Sequence, residues 1–227
     1  MRSTAMKVIV AAIAAIGSVA ASASVTTLDG KGFDVSYDSS KFAAGSISLS
    51  SDRSSLLFDT DALSVIARKG DSDDAFDALK FSLTLDSGYA FKSLELSQSG
   101  TYSLIKKNSE VFASLTSGIS VPGAHKGSVV KADVFSKDGV KSGSDVWSIG
   151  STYTLTGTKY ANAPKINFWA ESLLYADAAN KGFASIAARD YSLQVITAAV
   201  PEPDQWALML AGIGMVGAIA RRRTTRS

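Results

Sequence analysis

The chain has 227 residues, 23 basic against 21 acidic side chains, one histidine and no cysteine. Without cysteine there are no disulfides, thiolate metal sites, thiol nucleophiles or acylated lipoprotein cysteines, and one histidine excludes a site built from several imidazoles. The basic excess sits at the ends, with Arg2 and Lys7 at the front and Arg221, Arg222, Arg223 and Arg226 at the back. Residues 24–200 are left slightly acidic, which removes nucleic acid as a partner, because a binding domain needs its cations on the folded part.

Residues 1–23 have three parts: a basic start, an apolar stretch from Val8 to Ile16, and a run of small residues from Gly17 onward. Ala21-Ser22-Ala23 fits the small-x-small pattern of signal peptidase, with Ala21 and Ala23 as the cleavage positions, and the apolar stretch is too short to span a bilayer. The expectation is a signal peptide over 1–23, cleaved on export, and a single domain after it.

Between 24 and 199 the dominant pattern is alternation with period two. Phe33-Asp34-Val35-Ser36-Tyr37, Ile47-Ser48-Leu49, Phe81-Ser82-Leu83-Thr84-Leu85 and Leu94-Glu95-Leu96 show it, as do Val130 to Val134, Tyr153-Thr154-Leu155, Ile166-Asn167-Phe168 and Tyr191 to Val195. Half-buried antiparallel strands give this signature because successive side chains point to opposite faces. Turn signals separate the runs at Leu28 to Gly32, Asp86-Ser87-Gly88, Gln98-Ser99-Gly100, Lys137-Asp138-Gly139 and Asn180-Lys181-Gly182. Roughly ten to twelve strands spaced in this way predict an all-β fold, an antiparallel β-sandwich of Ig-like or jelly-roll style over 24–199. The best helical candidate is Asp73 to Leu79, barely two turns.

Four stretches of this middle region invite a chemical reading. Asp71-Ser72-Asp73-Asp74-Ala75-Phe76-Asp77 gathers carboxylates that could serve calcium, but it lacks the glycine and the distal bidentate glutamate of an EF-hand loop, and a charged loop capping a short helix explains it better. His125 stands between glycines after Pro122, in an exposed loop, with no nucleophile elbow in the chain, which argues against a hydrolase triad. Thr152, Thr154, Thr156 and Thr158 would present one row of hydroxyls ~6.8 Å apart on a strand; ice-binding surfaces need several such rows, and the strand preference of threonine accounts for this one. Tyr102, Trp147 and Trp169 are candidates for a sugar-stacking platform, with core packing as the plainer explanation. Because Trp169 follows Phe168 on a strand, one of the two must face away from the core.

The C-terminal stretch reads Val200-Pro201-Glu202-Pro203, a short spacer, an apolar run from Trp206 to Ala220, and then Arg221, Arg222 and Arg223. The prolines keep the segment extended and accessible. Trp206 suits a membrane interface, and the arginine cluster is held on the cytoplasmic side by the positive-inside rule. A helix over 206–220 covers roughly 22 Å, short of the ~30 Å hydrocarbon core, so it suits a temporary anchor, with a permanent single-pass anchor as the alternative. Gly212-Ile213-Gly214-Met215-Val216-Gly217 matches a dinucleotide-binding fingerprint by chance, since no acidic residue follows at the required distance.

In its order of parts, 200–227 resembles the PEP-CTERM sorting domain of Gram-negative bacteria. The resemblance implies that Val200, Pro201, Glu202 and Pro203 are recognised by a membrane-embedded exosortase, which cuts there. Trp206 and Arg221, Arg222 and Arg223 then hold the precursor in the inner membrane, facing the periplasm, before release to the outer surface or the medium. The expected partners are signal peptidase, exosortase and, transiently, the inner membrane, with extracellular polysaccharide as a further candidate. The expectation for the upstream domain is a non-enzymatic structural or adhesive component with no cofactor, metal or catalytic residue, and the alternative is a carbohydrate-binding β-sandwich; an ice-binding protein or a hydrolase ranks below both.

Overall fold

The computed structural model describes residues 24–41, 46–106, 108–123, 128–138, 142–200 and 208–216. The described residues between 24 and 200 form twelve strands: β1 (Val25–Asp29), β2 (Phe33–Asp38), β3 (Ile47–Leu49), β4 (Ser55–Phe58), β5 (Ser64–Arg68), β6 (Ser72–Leu85), β7 (Tyr89–Ile105), β8 (Glu110–Ser120), β9 (Val129–Asp138), β10 (Ser142–Thr154), β11 (Lys165–Asp177) and β12 (Phe183–Ala199). They make two sheets, with every pairing antiparallel. Sheet A has the order β1-β2-β6-β11-β8-β9. Sheet B has the order β10-β7-β12-β4-β3, with β5 also on β12. The expected all-β sandwich is therefore present.

The alternation seen in the sequence becomes the division between inside and outside. On β11, Ile166, Phe168, Ala170, Ser172, Leu174 and Ala176 are buried while the residues between them face out. The two inner faces meet in an aromatic seam. Phe58 of sheet B lies 5.9 Å from Phe81 of sheet A, Phe81 stacks on Phe168 at 5.0 Å, and Tyr153 meets Phe168 edge-on at 6.4 Å. Each such pair adds about 0.5–1.5 kcal/mol beyond area burial. Toward one side the seam continues as Tyr102, Phe135 and Trp147. There β9 leans against β10: Asp133 accepts the Gly150 N–H at 2.9 Å, and the Lys131 ammonium donates to the Thr152 carbonyl. Polar bonds thus close the side of the sandwich where two edge strands would otherwise be open.

Two sequence expectations are overturned. Asp73 to Leu79 is part of β6 and not a helix: Ala75, Asp77 and Leu79 turn inward and Asp74, Phe76 and Ala78 outward. Gln98-Ser99-Gly100 is not a turn but the middle of β7. Gly100 is there for a packing reason. β12 carries a bulge between Ala188 and Asp190, and the Ala187 carbonyl fills the space that a Cβ at position 100 would need. The extra residue also inverts the parity of β12, so that Ala184, Ile186 and Ala188 are buried before it and Tyr191, Leu193 and Val195 after it.

Polar groups interrupt the seam at Ser117, whose hydroxyl bonds the Tyr153 hydroxyl at 2.8 Å, and more extensively at the level of Ser172. Ser172 and Gln98 are fully buried, one from each sheet, and the Ser172 hydroxyl donates to Gln98 Oε1 at 3.0 Å. Their strand neighbours are Asp77 and Tyr191. Gln98 Nε2 and the Tyr191 hydroxyl have no hydrogen-bond partner. Burial raises the Asp77 carboxyl above its ordinary value and does the same to the Tyr191 phenol, to which the Asp77 charge adds.

Two tests follow from this packing. Gly100→Ala should cost about 1–3 kcal/mol, the range of core overpacking, while Gly143→Ala, which meets nothing within 4 Å, should be near neutral; urea unfolding midpoints compare them. A raised native pKa means that Asp77 contributes stability below its unfolded-state value and loses it as pH rises through the folded value. Asp77→Asn should therefore flatten that part of the pH–stability curve and gain on the parent at pH 7 relative to pH 3.5. An unchanged curve would show that Asp77 is solvated.

Candidate functional site

The chain leaves the folded body at the end of β12. The Val200 N–H donates to the Gly88 carbonyl at 2.7 Å, the last hydrogen bond before the Pro-Glu-Pro segment. That end of the sandwich is tied together by its turns. Tyr89 and Thr197 side chains crowd Gly32, whose φ is +81°, and the Thr197 hydroxyl donates to the Lys31 carbonyl at 3.0 Å. Arg53 pairs with Asp29 and donates to the Asp29 carbonyl at 2.7 Å. Asp86, in the β6–β7 turn, is raised by partial desolvation and then by the charges of Asp34 and Asp29. The sorting segment therefore starts directly from a well-bonded surface, without a linker.

Of the sorting positions, Val200 is described and exposed, while Pro201, Glu202, Pro203, Trp206, Arg221, Arg222 and Arg223 lie outside the described residues, as do Ala21 and Ala23 of the expected signal peptide. Within the apolar run a helix is described over 208–216, and the remainder of the expected 206–220 span lies outside the described residues. Its apolar side chains are unburied, Leu208 at 74% exposure and Val216 at 69%. Among the described residues no helix is long and apolar enough to cross a membrane.

The chemical candidates in the body do not converge. Asp73 and Asp74 point to opposite faces of β6, and Asp73 and Asp77, on one face, stand ~13 Å apart along the strand. Among the described residues no group of three or more His, Cys, Asp or Glu could hold a metal. His125 lies outside the described residues. Thr152 and Thr154 share the outer face of β10, but the strand ends at Thr154, and Thr156 and Thr158 belong to the following turns. The threonine row is thus two residues long. Serines of the neighbouring strands extend the hydroxyl surface, with Ser144, Ser103 and Ser185 in one row across β10, β7 and β12.

The three aromatic candidates separate. Trp147 and Tyr102 are core residues, 2% and 8% exposed, and so are not a sugar platform. Trp169 faces out from sheet A, with Phe168 inward. Its indole lies on Gly118, where an added Cβ would come within 2.5 Å of the ring. Gly118 is its cross-strand partner on β8 and Lys80 its partner on β6. Farther along the same face Leu173 stands beside Phe76, and Tyr175 beside Phe112. The sequence signal for Phe76 and Phe112 was their parity with Trp169 across three strands, which becomes visible only with the register.

Comparison with known proteins bears on the tail more than on the body. Residues 199–223 match the family model described as the PEP-CTERM protein-sorting motif. No curated protein matches the chain in sequence. Among solved structures, TmCBM61 in complex with beta-1,4-galactotriose is similar at 11% identity and a TM-score of 0.22, over 74% of this chain and 85% of that one. The infectious bursal disease virus Gt strain follows at 10% identity and a TM-score of 0.12, over 71% of this chain and 52% of that one. Neither neighbour fixes a topology or a ligand for the body. The tail motif implies an exported, exosortase-processed protein, and its start at residue 199 coincides with the end of β12.

An alanine at Gly118 should push the indole off the sheet, changing tryptophan fluorescence with little loss of secondary structure by circular dichroism; an unaltered emission spectrum would show that the ring does not rest on this glycine. By its tail motif, this chain is a PEP-CTERM domain-containing protein.

Proposed function

We propose that the chain is a non-enzymatic structural or adhesive protein of the cell surface or extracellular matrix, delivered by signal peptidase and then exosortase. The sorting motif over 199–223 carries this reading. The geometry of both ends of the body supports it. Cleavage after Ala23 would leave Ser24 first, and its carbonyl accepts both the Ser39 N–H at 2.9 Å and the Ser39 hydroxyl at 2.8 Å. Cleavage near Pro201 would leave Val200 bonded to Gly88. Both cuts would trim the chain at the margin of the fold, so that the body keeps every strand. The exposed apolar side chains of the 208–216 helix favour a lipid or protein environment over water, at about 25 cal/mol per Å² of apolar surface removed.

A second reading, a carbohydrate-binding body, is favoured by the outer face of sheet A. An indole held flat by Gly118 presents its free face outward, as sugar stacking requires. Asn167, Glu171 and Lys80, on the same face, supply hydrogen-bonding groups around it. Leu173, Tyr175, Phe76 and Phe112 extend the apolar surface along the strands.

The first reading is tested in the native host by replacing Pro201, Glu202 and Pro203 with alanine. The variant should accumulate as an unprocessed precursor with the body still folded, whereas the parent yields a mature chain retaining Val200 by mass spectrometry. Equal maturation of both would refute the sorting role. For the second reading, retention on a neutral glycan array should fall at least tenfold in Trp169→Ala; binding that survives this change would remove the outer face of sheet A as the site.

A further inference from the structure

We propose that the end of the sandwich opposite the C-terminal exit binds an acidic, carboxylate-bearing polysaccharide through Arg68, Lys69, Lys106 and Lys181, a site separate from the aromatic face of sheet A and independent of tail processing. β12 has 17 residues, so its two ends lie on the order of 55 Å apart. At the far end β12 runs between β5 and β7, and Phe183 pairs with Arg68 on one side and Ile105 on the other. One step farther out, Lys69 and Lys106 flank Gly182 across the same three strands. Their backbones are therefore roughly 10 Å apart. Lys181 comes next in the β11–β12 turn.

Arg68, Lys69 and Lys181, with Asn180, Gly182 and Phe183, line an open depression of about 400 Å³ that has no carboxylate in its wall. The side chains are partly fixed. The Arg68 guanidinium sits 5.2 Å over the Phe183 ring, and the Lys106 ammonium donates to the Asn180 carbonyl at 3.2 Å. Among the described residues none of the four cations forms an ion pair. Acidic residues also stand at this end: Asp71 shares the turn of Lys69, its N–H on the Arg68 carbonyl at 3.2 Å, and Asp73, Asp74, Glu110, Asp138 and Asp177 lie on the sheet A strands, but none of them lines the depression.

The backbone adds an independent indication. Lys69, Lys106 and Lys181 all have positive φ, at 58°, 86° and 56°. Glycine, asparagine or aspartate ordinarily fills such positions, because a longer side chain is strained there. Three lysines at one end retain a charge at the expense of backbone comfort. Their spread over three turns suits repeated charges along a polymer better than one small anion, for which donors would converge in a nest. Behind the cations, Ser103, Ser144 and Ser185 form a row of hydroxyls on the outer face of sheet B, a surface that pairs with sugar hydroxyls as the ammonium groups pair with carboxylates.

The test uses the protein purified from its host and polygalacturonate as probe, with dextran as the uncharged polymer. Polygalacturonate should bind, dextran should not, and the affinity should fall steadily with added salt. The triple variant Lys69→Asn, Lys106→Asn, Lys181→Asn should lose binding at least tenfold while its melting temperature stays level or rises, since asparagine tolerates positive φ. A Lys92→Asn, Lys165→Asn control should bind as the parent does. Undiminished binding by the triple variant, equal retention on dextran, equal loss in the control, or complete displacement by millimolar inorganic phosphate would each overturn the proposal. Trp169→Ala should leave this binding intact, so failure of the aromatic-face reading is distinguishable from failure of this one.

Discussion

The contact on which the rest of the structure depends is the one between the inner faces of the two sheets. Phe58, Phe81, Phe168 and Tyr153 form a continuous run of rings from sheet B into sheet A and back. In a chain without cysteine, packing of this kind takes the place of covalent cross-links. The in-and-out alternation, unbroken on β11 and shifted in parity by irregularities on β7 and β12, keeps this layer mainly apolar. The same alternation places everything chemically interesting on the outside: the indole of Trp169 on one face, the serine rows on the other, and the lysine-bearing turns at the end. The outer surfaces are free to vary because the inner ones are not.

The interior departs from that rule most at the level where Asp77, Ser172, Gln98 and Tyr191 meet. An unpartnered buried donor costs about 1–3 kcal/mol, and this level holds two, Gln98 Nε2 and the Tyr191 hydroxyl. The bulge of β12 lies beside it, and Tyr191 is the first inward residue after the parity change. Polar groups and backbone irregularity therefore occupy the same section of the sandwich. The apolar layers on either side carry the cohesion.

The sequence made the fold class legible because Phe33 to Tyr37, Phe81 to Leu85 and Tyr191 to Val195 alternate without exception. Failures occurred where alternation competes with local chemistry. Asp73, Asp74 and Asp77 resemble a helix cap, yet β11 pairs with every residue from Ser72 to Thr84, and that long-range ladder overrides a weak local preference. Gln98-Ser99-Gly100 has the composition of a turn, but Gly100 is required by a carbonyl from β12, a contact almost ninety residues away in the chain. Separation of Trp147 from Trp169 was legible in part, since Phe168 and Trp169 must take opposite sides of the sheet. Nothing local indicated that Trp147 is interior. The tail was the most legible segment of all, because its signal is a linear order of parts and does not depend on folding.

The route by which β12 joins the tail has a mechanical consequence. β12 is not an edge strand: β7 borders it along one side, and β4 and β5 share the other. A pull on Val200 loads residues 196–199, paired with β7 alone, and then the span held on both sides, all along the strand axis, so the bonds are sheared together instead of opening one after another. Were the body tethered through Val200, it would resist flow or traction far better than one hung from a peripheral hairpin.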